Sequence, residues 1–430
     1  MKQIKLIYFI TCLIISVLQV SAQNDTALNP TPLNYKLFLY EVKESNLGFL
    51  AEKYNLNISQ ANIAAAKVFP DPELSVGASD NQERTLKMGY SLEAGLDYTL
   101  ELGGKRKARI HLAKSEAELT NAMLDDFFRH LRADVTIYYL EAMKQEKLLE
   151  VSKSVYEGML RLAEADSIRF HLGEIMKIDA QQSKLEANSL LNEVYQTEAD
   201  WYNSLVQLSS LQGKHYVPGD VFYHIEGNFD NFRKEIDLQS FIDYACKNRS
   251  DLEVARKETE VSSRSLKLVK ANRAIDLGLS VGVARNSEVR NEIAPAPAFT
   301  SVSAGISIPL KFSNTNKGEI SAARFALQQS EAKYKEVELQ IQTEVVQAYY
   351  NYQAACKSVQ QYQGGMLVDA GQILEKKMYS YQNGNTDLLE VLNAQRTFSE
   401  MNRNYYEVLY NRAAALVELE RVTGIWDIEL

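Results

Sequence analysis

The sequence predicts an α+β membrane protein in which long coiled-coil helices alternate with short amphipathic strands, the whole plan written twice. Three observations lead there: an internal repeat, strands that alternate cleanly between apolar and polar residues, and helices of coiled-coil length without proline. The repeat is direct. Around Gly173 the chain reads FHLGEIMKIDAQQSKLEAN, and around Gly384 it reads YQNGNTDLLEVLNAQRTFS. LVQLSSLQG ending at Gly213 answers ALVELERVTG ending at Gly424, so both glycine pairs are 211 residues apart. Upstream, LSVGA at Leu74–Ala78 answers LSVGV at Leu279–Val283, AGLDYTL from Ala94 answers AGISIPL from Ala304, and SEA at Ser115 answers SEA at Ser330. A repeat on this scale sets the architecture: each half reads helix, strand, loop, strand, long helix, turn, helix.

Four strands are expected, near 72–80, 89–101, 275–285 and 300–311. From Gly89 to Glu101, Tyr90, Leu92, Ala94, Leu96, Tyr98 and Leu100 alternate with Ser91, Glu93, Gly95, Asp97, Thr99 and Glu101. Ile275, Leu277, Leu279, Val281 and Val283 alternate likewise with Asp276, Gly278, Ser280, Gly282 and Ala284. A period of two gives one apolar and one polar face. An amphipathic sheet on a soluble core would show the same period. The small polar residues of the second face, with a secretory leader, point instead to a barrel with lipid outside and water inside. Tyr90, Leu92, Leu96, Tyr98, Leu277, Leu279 and Val281 are then lipid-facing, and Glu93, Asp97 and Asp276 face the lumen.

The helices are long. Arg106 to Phe170 contains no proline and only one glycine, Gly158. At a rise of ~1.5 Å per residue that stretch is roughly 100 Å of helix. Leu119, Met123, Phe127, Leu131, Val135, Tyr138 and Ala142 step by threes and fours, as a coiled-coil seam does. The partner helix is expected over Ile175–Leu211. The second half repeats the pair at Glu319–Gln382 and Thr386–Val422, with Val337, Ile341, Val345, Tyr349 and Tyr352 as its core. A purely structural coiled-coil protein of the envelope would explain these helices, but not the two strand pairs set symmetrically among them.

The compartment follows from the N-terminus. Lys2 and Lys5 precede an apolar run, Leu6–Val20, and small residues at Ser21-Ala22, so residues 1–22 read as a signal peptide cleaved near Gln23. Cys12 sits inside the apolar run rather than at its end, which argues against a lipid anchor. Without the leader, 45 basic residues face 56 acidic ones, a net charge of −11 that argues against nucleic acid as a partner. Mean hydropathy is −0.28, and beyond the leader no run reaches the ~18 apolar residues of a spanning helix. A membrane crossing must therefore be made of strands. Two cysteines, Cys246 and Cys356, do not make a disulfide framework. The expected organisation is a first repeat over 23–213, a linker over 214–248 with Pro218-Gly219 and several aromatics, a second repeat over 249–424, and a tail over 425–430 with Trp426.

Taken together, these residues resemble the TolC-like outer-membrane efflux protein family, over nearly the whole chain from Leu33 to Gly424. PDPELSVG at Pro70–Gly77 resembles the approach to that family's first strand. LELGGKRKAR at Leu100–Arg109 resembles the strand-to-helix junction of its CzcC-like cation-efflux branch, and YQNG followed by DLLEVLNAQ resembles the turn and helix start at its closed end. The resemblance implies a homotrimer with a 12-stranded barrel in outer-membrane lipid and a 12-helix periplasmic barrel. It implies a periplasmic adaptor and an inner-membrane pump of the resistance-nodulation-division type as partners. Physics agrees on an oligomer: four strands cannot close, eight nearly fill their own interior, and twelve leave a channel. The function so implied is passive conduction of substrate, metal cations first, from pump and adaptor to the outside. A multidrug-efflux or type I secretion duct of the same fold is the alternative.

The expected gate is the tip where two helices begin. Asp179 and Glu390 are 211 residues apart, and Gln182 and Asn393 follow one turn later on the same faces. The family's aperture acids map onto Asp179, Glu390 and Asn393, the last no longer an acid. Tyr381 stands at the family's tip tyrosine, and Phe170 replaces it in the first half, beside the tip turns at Gly173 and Gly384. Tyr381 and Asn393 are the expected contacts holding the tip shut. Ordinary helix N-terminal acids complementing the dipole would look the same. His111, His130, His171, His215 and His224 show no ligand spacing, so no metal site is expected. Gly103-Gly104-Lys105 lacks the spacing of a phosphate loop and reads as a chain turn. No cofactor and no catalytic set is expected, hence no enzyme.

Overall fold

A computed structural model of the chain describes residues 31–80, 87–215, 223–310 and 316–428. The expected signal peptide and Pro218-Gly219 lie outside them. The chain opens with a short strand β1 (Thr31–Leu33) and helices α1 (Tyr35–Ser45) and α2 (Leu47–Ala66). The hairpin β2 (Glu73–Asp80) and β3 (Tyr90–Leu100) leads into α3 (Lys105–His171), 67 residues long, and α4 (Lys177–Leu211). After β4 (Tyr223–Ile225) and α5 (Leu238–Asn248), the order recurs: α6 (Ser250–Ala271), β5 (Leu277–Asn286), β6 (Phe299–Ser307), α7 (Lys317–Gln361), α8 (Leu367–Gln382) and α9 (Leu388–Thr423).

One expected helix is two. The stretch expected as a single helix over Glu319–Gln382 breaks at Tyr362–Met366, a π-type turn in which Gly365 takes φ 124°. A residue with a Cβ rarely adopts that backbone, so the Gly364-Gly365 pair permits the break. The first half has no counterpart, since α3 runs through.

The four long strands form one antiparallel sheet in the order β2-β3-β5-β6. Its register puts the alternation in phase across every pair: Leu74 faces Leu96, Leu96 faces Val281, Tyr98 faces Leu279, and Leu279 faces Ile306. Tyr90, Leu92, Leu96, Tyr98, Leu277, Leu279 and Val281 therefore share one face with Val76, Val283 and Val302. Among the described residues no element covers that face: Leu74 is 73% exposed, Val76 77% and Val302 79%. The other face carries Glu93, Asp97, glycines and serines. Gly278 stands opposite Ser307 and Gly305 opposite Ser280, and a Cβ on either glycine would come within 2.2 or 2.6 Å of the facing hydroxyl. Asp276 does not belong to this face as expected. It precedes β5, and its carboxylate takes Lys105 Nζ at 2.6 Å and Leu102 N at 3.2 Å.

That ion pair belongs to the junction that turns strand into helix. Gly103 and Gly104 both take left-handed backbone, φ 73° and 72°. Arg109 then binds Glu101 (Nη1 to Oε1, 2.8 Å) and donates to Val68 O and Ala66 O. Arg106 donates to Lys67 O at 2.7 Å and covers the ring of Phe69. The basic residues after the double glycine thus collect the carbonyls that the end of α2 leaves unpaired.

The core lies midway along the helices. Of the expected seam, Leu131, Val135, Ala142, Ile341, Val345 and Tyr352 are buried, whereas Met123 and Tyr138 are exposed in the single chain. Tyr139 and Tyr352 pin the linker there. The Tyr139 hydroxyl lies 2.6 Å from Leu33 O, where β1 and β4 pair, and the Tyr352 hydroxyl donates to Phe232 O at 3.0 Å. The tail returns to the same level: Trp426 lies under Arg132, and Lys234 binds Asp427. Burial pushes the neighbouring Glu420 carboxyl up to about 8.

The junction makes a graded prediction. A Cβ on Gly103 would meet Ala274 Cβ at 2.1 Å, whereas Gly104 has open space around it. Gly104→Ala should cost about 1 kcal/mol for the backbone alone. Gly103→Ala should cost more, with a correspondingly lower denaturation midpoint for the folded protein. Equal midpoints in urea would contradict the close approach.

Candidate functional site: the helical tip

At the end of the helices away from the sheet, α3 turns into α4 and α8 turns into α9 by the same geometry. Gly173 and Gly384 take φ 79° and 74°. Gly173 N donates to Phe170 O and Glu174 N to Arg169 O; Gly384 N donates to Tyr381 O and Asn385 N to Ser380 O, all at 2.9–3.0 Å. This is the glycine-terminated helix end in which the last carbonyls are satisfied by the turn, made twice 211 residues apart.

Tyr381 is buried. Its hydroxyl donates to Asp166 Oδ1 at 3.0 Å, joining α8 to α3, and Asn393 is exposed. Asp166 is wholly buried. Arg169 approaches it at 3.7 Å and lies over the Tyr381 ring. Burial pushes the Asp166 carboxyl up, against the lowering pull of hydrogen bonds from Ser183 and Tyr381 and the charge of Arg169. Burial and the nearby Asp166 charge hold the Tyr381 hydroxyl well above its ordinary value. Around this pair Met159, Leu162, Ala187, Leu388, Val391 and Leu392 make a small core of their own. Phe170 is half-buried against His171.

The two expected acids differ in surroundings. Glu390 forms an ion pair with Lys377 and accepts from Thr386 Oγ1 at 2.8 Å, and these contacts hold its carboxyl below the usual range. Asp179 lies half-buried in the first turn of α4, and among the described residues no salt bridge engages it. Gln182 is exposed one turn on. Asp179 begins a stripe of acids at seven-residue spacing, followed by Glu186, Glu193 and Asp200. Glu186 pairs with Arg396 at 3.3 Å and Glu193 pairs with Arg403, so α4 and α9 are bridged by arginines at the same spacing. One heptad before Arg396 stands Leu389, which leaves Asp179 unmatched on that ladder. Seven-residue spacing was legible in the sequence as a stripe facing one way. The partner of Tyr381 was not, because Asp166 lies 215 residues away on another helix.

A four-stranded antiparallel sheet with one exposed apolar face and one crowded polar face, carried on long helix pairs, makes the chain an α+β architecture. The chain belongs to the outer membrane efflux protein family, whose pattern matches residues 38–214 and 241–425. It is 23% identical to the cobalt-zinc-cadmium resistance protein CzcC of Cupriavidus metallidurans over 94% of this chain and 95% of that one. It is 20% identical to the outer membrane protein TolC of Vibrio cholerae over 83% and 82%. Among solved structures it resembles CusC (TM-score 0.71, 15% identity, 94% and 95% covered) and VceC of Vibrio cholerae (TM-score 0.69, 18% identity, 91% and 96% covered). The protein is an outer-membrane efflux channel of the TolC family with its helices in the periplasm.

The buried pair predicts how the tip responds to acid. A carboxyl whose folded value is raised stabilises the fold below its unfolded value and loses that contribution as pH rises through the raised one. Hydrogen-exchange protection of tip amides, corrected for intrinsic rate, should therefore increase as pH falls into the carboxyl range. Asp166→Asn should flatten that dependence. Tyr381→Phe leaves a buried carboxylate short of a donor and should loosen the tip by roughly 1–3 kcal/mol while leaving sheet amides unchanged.

Proposed function

We propose that three copies close their sheets into a 12-stranded barrel in outer-membrane lipid and continue as a 12-helix periplasmic tunnel. The duct passes metal cations handed on by a periplasmic adaptor and an inner-membrane pump of the resistance-nodulation-division type. One observation carries the assembly: among the described residues the four-stranded sheet has two open edges and an apolar face that no element covers. In lipid, unpaired strand edges cost several kcal/mol per backbone group, so the sheet must continue into other copies. The crowded face of glycine and serine, with Glu93 and Asp97, suits the concave lumen, and Tyr90, Leu92, Leu96, Tyr98, Leu277, Leu279 and Val281 then face lipid.

The cation reading rests on the relative named for cobalt, zinc and cadmium resistance and on the acids of lumen and tip. In this reading α4 and α9 line the tunnel, and Asp179, Gln182, Glu390 and Asn393 edge its periplasmic aperture. Threefold rings of carboxylate favour cations and resist packing together. The ammonium of Lys377 beside Glu390 offsets its charge at the rim, so Asp179 carries most of the ring field. Residues 23–213 and 249–424 act as two equivalent staves of the tunnel, with 214–248 girdling its middle.

The faces are tested by paired substitutions. An arginine at a midplane lipid-facing position costs ~2–4 kcal/mol. Leu279→Arg should therefore deplete the folded, heat-modifiable trimer, and Ser280→Arg, one residue on, should spare it. Equal loss from both would reverse the assignment.

The gate is tested in planar bilayers. Asp179→Asn should lower cation preference and weaken block by divalent cations from the periplasmic side, with Glu390→Gln adding a smaller effect. Wild-type selectivity in the double variant would make both acids ordinary surface residues. Co-purification of the wild-type protein should bring down the adaptor and the pump together.

A further inference from the structure

The end of the sheet away from the helices carries a second feature. There the return of the β2–β3 loop meets the β5–β6 loop through backbone bonds. Tyr90 N donates to Ser287 Oγ at 2.8 Å, Ser287 N to Tyr90 O at 2.9 Å, and Arg290 N to Lys87 O at 3.1 Å. A further pair, Val289 with Ala296, stiffens the longer loop. These bonds frame a cavity of about 660 Å³ lined by Lys87, Tyr90, Arg285, Ser287, Glu288 and Arg290. Three cations therefore meet one carboxylate, and Arg290 Nε already binds that Glu288 at 3.2 Å.

Arg285 is the informative residue. Register places it between Leu92 and Thr300, on the face that carries Leu279, Val281 and Val283. It is exposed, and it spends one donor, Nη1, on Thr300 Oγ1 at 2.9 Å. Asp80 is the acid on this face, two residues further out, opposite Tyr90. Among the described residues, no salt bridge engages Arg285 or Lys87. An arginine on a lipid-facing strand is costly at the bilayer midplane but nearly free at the interface, where tyrosines also gather. The periplasmic helices fix this end of the sheet as the outer one. A guanidinium there, flanked by an ammonium and a second guanidinium on a bonded backbone, presents the fork and point charges that phosphate oxygens accept.

We propose that this rim cavity binds the phosphate of an outer-leaflet lipid headgroup, with Arg285, Lys87 and Arg290 as its donors. The proposal rests on the reading that the apolar face meets lipid. A free phosphate anion would satisfy the same donors, but only a lipid explains why Arg285 stands on the apolar face.

The test is native mass spectrometry of the full-length purified protein, titrated with bisphosphorylated lipid A and, separately, with the dephosphorylated glycolipid. Removing two charged donors should weaken binding about tenfold or more. The wild type should bind the phosphorylated lipid, and Arg285→Gln with Lys87→Gln should lose at least that factor while keeping the heat-modifiable trimer. Arg285→Lys keeps the charge without the fork and should fall between them; it also serves if the double variant does not assemble. Equal binding of both lipids, or equal binding by wild type and variants in an intact trimer, would overturn the proposal alone. Full displacement of the lipid by millimolar inorganic phosphate would assign the site to a free anion and overturn the lipid. A wild type that forms no heat-modifiable trimer would overturn the underlying lipid-facing reading instead.

Discussion

Backbone hydrogen bonding in the sheet governs the rest of the molecule. Among the described residues each of β2 and β6 has one strand neighbour, so each presents an edge row of N–H and C=O groups that no strand pairs. Water would satisfy them, but the apolar face that alternates along the same strands excludes water as the surroundings. The proposed closure of the sheet through further copies within lipid would meet both requirements, paired edges and a covered apolar face, at once. The inner face must then be small enough to line a curve, and glycines facing serines in register provide that.

Joining such a sheet to helices ~100 Å long is a second mechanical problem, and the double glycine with its basic sequel solves it. Left-handed backbone at Gly103 and Gly104 turns the chain within two residues. Lys105, Arg106 and Arg109 then tie the helix to Asp276, to Glu101 and to the last carbonyls of the preceding helix. A motif that resembles a family signature thus has a local cause: it satisfies the polar groups of a strand end and a helix end at once. Halfway down, Tyr139 and Tyr352 perform a similar service for the linker, each placing a buried hydroxyl on backbone carbonyls that crossing segments expose.

The two halves diverge where the helical end must differ. The first outer stretch is unbroken, whereas the second bends at Gly364-Gly365 before reaching Tyr381. Tyr381 crosses from the second half to Asp166 of the first, and Phe170, its counterpart, cannot. The arginines of α9 likewise bind acids of α4, so these ion pairs run from one half to the other. An ancient-looking twofold plan is thereby converted into a tip where Tyr381 and Asp166 join the two halves and Asp179 stands outside the arginine ladder.

The sequence alone determined the strand pattern, the helix lengths and the two tip turns. Those depend on local rules: a period of two, the absence of proline, and glycine where φ must be positive. Even the seven-residue acid stripe from Asp179 could be read as one face of a helix. The tertiary structure decided what each face meets. It moved Asp276 out of the strand and onto Lys105, exposed Met123 and Tyr138 from the expected seam, and joined Tyr381 to Asp166. It also broke the helix at Gly365, where the sequence shows a Gly-Gly pair but not whether neighbouring packing will bend it. The physical reason is common to all four. Periodicity fixes directions around one element, while partners are chosen by which elements pack together, and residues more than a hundred positions apart carry no local sign of meeting.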